Sequence, residues 1–160
     1  MKDVDRKKNM VGDIYEMRSD DETLKFVPEQ RLSDLKAAED EFNKFLFANS
    51  TGVSFTHFIT DKFNGKTIGL ITIVAPELAS RLYKMEKYEW MIEYLLNKNY
   101  CGHGLMTSFL KIFVSNMNEQ GIKTIGAVCF RNNLASIRVL EKVGFVKKGN
   151  FDIYQDYYEN

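Results

Sequence analysis

The sequence predicts a mixed α/β fold, and three observations carry that prediction. Runs rich in β-branched and aromatic residues alternate with stretches in which apolar residues recur every three or four positions. Asn64-Gly65 lies between two of the strand-like runs, where a hairpin needs its turn. Gly121 and Gly144 each follow a helical stretch at the position glycine favours. A chain that orders its elements this way lays helices on the faces of a sheet.

Each element follows from its own pattern. Residues 11 to 26 read as a short helix with a turn at "SDDE". From Ser33 the periodicity sharpens through Leu35, Ala38, Phe42 and Phe45, with Ser33 placed to cap the first turn and an end expected near Asn49. "VSFTHFIT" (53–60) and "KTIGLITIV" (66–74) form the hairpin, both Asn64 and Gly65 being residues that tolerate positive φ. Pro76 closes the second strand. Residues 77 to 86 are left between helix and loop, and "YEWMIEYLL" (88–96) reads as a third strand. A helix over Leu105 to Gln120 is apolar on more than one face, which implies deep burial. "IKTIGAVCF" (122–130) is a further strand, Asn133 to Val143 a helix, and Phe145 to Tyr158 one or two strands.

Composition narrows the function. The 160 residues fit one domain, 1–160, with no repeat or linker. Lys plus Arg and Asp plus Glu both total 22, so no strong field favours nucleic acid or an anionic membrane. The apolar runs are too short to span a bilayer, and "MKDVDRKKNM" lacks the apolar core of a secretory signal. Cys101 and Cys129 are the two cysteines, too few for a disulfide scaffold, and a reducing cytoplasm is expected.

The chemistry concentrates at "NYCGHGLMTS" (99–108), which separates the third strand from a helix. Three readings compete for it: a metal site, a Cys–His nucleophile and base, or a loop that works through its backbone. A strand, then Gly102-x-Gly104, then a helix puts orphan N–H groups at a helix N-terminus, where the dipole also favours an anion. A single G-x-G is equally compatible with an ordinary tight turn. Cys101 and His103 lack the further Cys or His partners that zinc requires, so no metal is expected. As a dyad they lack an evident third group to orient the base.

A second stretch, "NNLASIRVLEKVGF" (132–145), decides between these readings. With the loop it resembles the GNAT superfamily of acetyl-CoA-dependent N-acetyltransferases, specifically its RimJ/RimL-like branch. That branch shows a Y-W-L-like strand, an eight-residue step to G-x-G, then N-x-x-S-x-R-V-L-E-K-x-G-F. Tyr94 lies eight residues before Gly102, and Asn133, Ser136, Arg138, Glu141, Lys142, Gly144 and Phe145 fall in register. The match is tight over 88 to 149.

The resemblance implies a mostly antiparallel mixed sheet flanked by helices, with a splayed central strand pair. It implies that the loop of Asn99, Tyr100, Cys101, Gly102, His103, Gly104 and Leu105, with Met106 behind it, holds the pyrophosphate of coenzyme A on backbone amides. Tyr94, Leu95 and Leu96 are expected to pair with the pantetheine arm as a strand would. Asn133, Ser136 and Arg138 are expected to flank its thiol end. The cosubstrate is acetyl-CoA, and the reaction is direct attack of a primary amine on the thioester, the acceptor being a protein N-terminus or a small amine. A coenzyme A-binding regulatory domain or pseudoenzyme is the alternative.

For proton transfer, Glu93 is the candidate base, sharing a strand face with Glu89 opposite Tyr94. A solvated strand residue is the plainer reading of both glutamates. Ser136 is the candidate acid for the leaving thiolate, against a plain helix-capping role. Tyr154 is placed to reach the site from the last strand, and Glu89, Glu93, Asp152 and Asp156 suit a cationic acceptor. The sequence departs from the family at four points. No first strand ending in R-L-R-P is recognisable, Asn99 replaces the usual Gln or Arg, Leu140 stands where many members carry tyrosine, and the tail after Gly149 is short for a final hairpin. An open sheet edge left by the absent strand favours a homodimer.

Overall fold

The computed structural model describes residues 3–84 and 89–160. In chain order these are α1 (Asp3–Met17), α2 (Leu35–Thr51), β1 (Ser54–Thr60), β2 (Thr67–Val74), α3 (Pro76–Tyr83), β3 (Trp90–Leu96), α4 (Leu105–Glu119), β4 (Ile125–Phe130), α5 (Leu134–Val143), β5 (Val146–Asn150) and β6 (Gln155–Glu159). The strands form one open mixed sheet in the order β1-β2-β3-β4-β6-β5. The expected strand start at Tyr88 and the end of the 77–86 stretch lie outside the described residues. Among the described residues no helix is long and apolar enough to cross a membrane.

The contacts divide into two compact units, residues 1–72 with 94–100, and residues 73–93 with 101–160. In the first, α1 packs on α2 and α2 on β1. Val11, Ile14, Ala38 and Phe42 form one cluster, and Met17, Leu24, Leu70 and Leu95 form another; Phe58 packs against both. Ile14 and Met17 are wholly buried, a contribution on the order of 2 kcal/mol each. That stripe explains why the first helix covers Asp3–Met17 rather than 11 to 26. It stops where the Asp20 carboxylate takes the Thr23 N–H at 2.7 Å and turns the chain.

Local chemistry corrects three further expectations in this unit. Asp34, not Ser33, caps α2, accepting from Ala37 N at 2.8 Å while Ser33 donates to Asp34. The helix runs two residues past Asn49 because Gly52, at φ 75°, supplies the left-handed stop. The β1–β2 hairpin closes on a four-residue loop. Gly65 N donates to Asp61 O at 2.8 Å, and Gly65 alone of the Asn-Gly pair has positive φ, because the Asn64 side chain accepts from Lys66 N instead. β1 is an edge strand, and the Asn49 side chain pairs with both the N–H and the C=O of its Thr56.

In the second unit α4 buries a single stripe, Met106, Leu110, Phe113, Val114 and Met117. Ile112 is 61% exposed, so the expected burial on several faces does not hold. Gly121, at φ 92°, ends α4 with Gly121 N on Asn118 O and Ile122 N on Met117 O, the paired bonds of a Schellman motif. The tail is long enough for a complete antiparallel hairpin: β6 pairs with β5 on one side and with β4 from Gly126 to Phe130 on the other. No strand precedes β1 among the described residues, where α1 and α2 lie instead.

Candidate active site

The residues singled out in the sequence are distributed over the two units, and each set has its own local logic. In the first unit, β3 ends with buried Leu95 in the Met17–Leu24–Leu70 cluster and with half-buried Tyr94 and Leu96. A Cβ built on Gly69 of β2 would stand 2.7 Å from the Leu95 carbonyl oxygen and 3.0 Å from Leu96 Cδ1. Only glycine permits so close a strand approach at that point. The sequence reading missed Gly69, although one glycine inside an otherwise β-branched strand is the signal that finds it. Beyond β3, Asn97 N donates to Ile68 O at 2.8 Å, and buried Asn97 receives both Asn99 N (3.0 Å, on Oδ1) and Tyr100 N (2.9 Å, on its carbonyl). The Asn99 and Tyr100 amides are therefore spent inside the protein. Lys98 pairs with Asp20 at 2.8 Å, and the Tyr100 hydroxyl reaches Asp61 at 3.4 Å.

The second unit holds the two-glycine turn. Gly102 and Gly104 have φ of 83° and 74°, and a Cβ built on either would meet no atom within 4 Å. The chain thus needs glycine here for its dihedrals, with open space above the backbone. Gly104 is the N-cap of α4, and no side chain caps that terminus. The first helical bond is Ser108 N to Gly104 O at 3.0 Å, so the N–H groups of Leu105, Met106 and Thr107 precede the ladder. The uncapped start of a 15-residue helix thus leaves three N–H groups outside the ladder at the positive end of its dipole, an arrangement that favours an anion. Cys101 and His103 are exposed, and partial desolvation pushes the Cys101 thiol up, the opposite of an activated nucleophile. Among the described residues no group of His, Cys, Asp and Glu is placed to hold a metal.

α5 starts differently. Asn133 caps it, its side chain accepting from Ser136 N at 3.2 Å, while Asn133 N donates to Phe130 O at 3.0 Å at the end of β4. Ser136 thus takes part in the cap through its amide, and its hydroxyl engages the Cys129 thiol, which burial pushes up and Ser136 draws partly back. Arg138 is exposed on the following turn. Leu140 is buried, 1% exposed.

The β3–β4 ladder is parallel and short, pairing Trp90 with Ile125 and Met91 with Gly126, while β4 continues to Phe130. Glu93 lies just past the end of that ladder with its side chain exposed. Its carboxylate accepts a hydrogen bond from the Tyr83 hydroxyl, a partner absent from the sequence reading. Burial foremost, then the charge and hydrogen bond of Glu93, push the Tyr83 phenol far up, so it remains a donor at any physiological pH.

Three acidic or aromatic candidates are employed elsewhere. Asp156 is 4% exposed and paired with Lys147 (2.6 Å) and Arg131 (2.7 Å). Asp152 takes Tyr154 N and Gln155 N at 2.7 and 2.6 Å and so shapes the β5–β6 turn. Tyr154 is on that turn, 65% exposed, rather than in the last strand. Asp156 is held in its ion pairs and Asp152 Oδ1 in the turn, tasks the one-dimensional sequence does not display.

Comparison with known proteins identifies the family and the fold. The family model described as "Acetyltransferase (GNAT) domain" matches residues 7–146. A search of the curated proteins found no match. Among solved structures, the chain is similar to RimL, a ribosomal alpha-N-protein acetyltransferase in complex with coenzyme A (TM-score 0.76, 15% identity, 96% of this chain and 89% of that one). It is similar to the aminoglycoside acetyltransferase AAC(6')-Ib in complex with coenzyme A (0.76, 17%, 96% and 90%). It is also similar to MccE, a microcin self-immunity acetyltransferase in complex with acetyl-CoA and AMP (0.76, 16%, 96% and 87%).

Proposed function

Because the chain belongs to the GNAT acetyltransferase family, we propose that it moves an acetyl group from acetyl-CoA to a primary amine by direct attack in a ternary complex. The observation that carries this is the uncapped start of α4 behind two positive-φ glycines, where open space meets orphan amides. Gly102 to Met106 hold the pyrophosphate on their N–H groups, with Asn99 and Tyr100 serving to pin the loop through Asn97. Tyr94, Leu95 and Leu96 offer strand edges to the pantetheine arm. Asn133, Ser136 and Arg138, at the start of α5, flank its thiol end.

The residues of the chain then divide the chemistry. Glu93 takes the proton of the attacking amine, directly or through water. A backbone N–H near Leu95 or Leu96 steadies the developing oxyanion, and Ser136 supplies a proton toward the leaving thiolate. The likeness to RimL and the run N-x-x-S-x-R-V-L-E-K-x-G-F support a RimJ/RimL-like assignment, with a protein N-terminus as acceptor. The likeness to an aminoglycoside acetyltransferase supports a small amine. The position of β1 at the edge of the sheet, blocked at Thr56 by Asn49 and otherwise the end of the strand order, supports self-association, which sedimentation velocity checks.

Thiol release from acetyl-CoA, measured with a seryl peptide and with spermidine, tests the activity. Turnover with either supports the reading; coenzyme A binding without turnover supports the second one, a coenzyme A-binding domain that has lost catalysis. Buried Leu140, at the position many family members give to a tyrosine acid, is the observation that favours the second.

A further inference from the structure

Among the described residues, two phenols and three carboxylates gather on one face of the sheet in the second unit. Met91 of β3 lies beside Gly126 of β4, Gly126 beside Glu159 of β6, and Val128 beside Tyr157. Side chains alternate along strands, so Glu89, Met91, Glu93, Val128, Tyr157 and Glu159 share that face. Tyr83, the last residue of α3, packs with Tyr157 against the Val74–Ala79–Met91 cluster. The phenols choose different partners. Tyr157 donates to Glu159 at 3.0 Å, and Tyr83 donates to Glu93 Oε1.

Nothing in the packing requires the Tyr83 hydroxyl. Its ring fills the cluster and meets Phe151 edge-on, with centroids 6.0 Å apart and planes at 75°, contacts that a phenylalanine would keep. Glu93 is exposed, and water would satisfy its carboxylate equally well. What the phenol adds is direction. A side chain at the end of a strand ladder explores several rotamers, whereas a donor on a ring fixed by Phe151 and the core holds one carboxylate oxygen in place. Oε1 is engaged by Tyr83, which leaves Oε2 to receive a proton.

We infer that Tyr83 is a positioning residue that orients Glu93 for proton abstraction from the acceptor amine, an inference that rests on Glu93 being the base. The phenol transfers no proton of its own. Among the described residues, Glu89, Tyr157 and Glu159 are the other titratable groups on this face, and Tyr157 is committed to Glu159.

A double-mutant cycle on the full chain tests this. Tyr83→Phe, Glu93→Gln and the double variant are assayed with acetyl-CoA and whichever of the seryl peptide and spermidine turns over faster. Tyr83→Phe is expected to lower kcat about tenfold, less than the loss from Glu93→Gln, with acetyl-CoA affinity, amine KM and Tm retained. It should have no further effect in the Glu93→Gln background. Full activity of Tyr83→Phe beside an impaired Glu93→Gln would overturn the positioning role and leave the base standing. An equal loss in both backgrounds, or a loss that follows Tm, would make Tyr83 independent of Glu93 and also overturn it. Wild-type kcat in Glu93→Gln would remove the base itself, and no turnover with either amine would overturn both the base and the positioning role.

Discussion

Gly69 and Leu95 approach so closely that a single methyl group on Gly69 would stand 2.7 Å from the Leu95 carbonyl oxygen. The obstruction is backbone, which cannot swing aside like the end of a flexible side chain. Gly69→Ala must therefore displace the end of β3. The expected stability loss is about 1–3 kcal/mol, measured by urea denaturation. Because Leu95 and Leu96 are assigned to the pantetheine arm, acetyl-CoA affinity should fall as well. A stable variant with unchanged affinity would separate this strand end from the ligand.

Gly104 poses the reverse situation, with dihedrals that need glycine and no neighbour to crowd. Gly104→Val costs roughly 1–2 kcal/mol of backbone strain and places a branched side chain above the α4 amides. Acetyl-CoA binding should weaken tenfold or more, about 1.4 kcal/mol, in a protein whose circular dichroism is unaltered. Wild-type affinity in a folded variant would reassign the loop to an ordinary turn.

Asn133 has two tasks that one substitution can expose. Asn133→Ala removes the α5 cap and should cost about 1 kcal/mol in chemical denaturation. If the start of α5 also lines the thiol end of the cosubstrate, the KM for acetyl-CoA rises; a stability loss alone would leave Asn133 a structural cap.

Asp156 predicts a pH dependence. The hydrogen bond from Lys147, with another from Arg131, holds its carboxyl below the ordinary 3.8 in spite of burial. A carboxyl whose folded pKa is depressed adds stability above its unfolded value and loses it as pH falls through the folded one. The Tm of wild type should therefore exceed that of Asp156→Asn at pH 7, with the gap narrowing below about pH 4. A gap independent of pH would mean that packing, rather than charge, ties β6 to Arg131 and Lys147.

These residues also show what the sequence made legible. Gly102, Gly104, Gly121 and Gly144 were readable because a glycine's dihedral freedom is a local property, and all four adopt positive φ. The sequence reading starts α5 at Asn133 and leaves the capping role to Ser136, whereas Asn133 is the cap and Ser136 supplies the amide it accepts. Asp34 took the cap assigned to Ser33 because the two compete one residue apart. Asp156 was misread because its partners Arg131 and Lys147 lie on other segments, which only folding brings together. Tyr83 was missed because its meaning depends on Glu93 and Phe151, and its stretch had no periodicity to single it out. The internal amide bonds of Asn99 and Tyr100 likewise became visible only with the Asn97 turn in place.

The most direct measurement of the central claim is calorimetric titration of acetyl-CoA into the purified protein, with ATP and NAD as controls and Gly104→Val alongside. Micromolar binding of acetyl-CoA alone, weakened in the variant, is the predicted result. No binding to a folded sample, or equal binding of all three nucleotides unaffected by Gly104→Val, would contradict it.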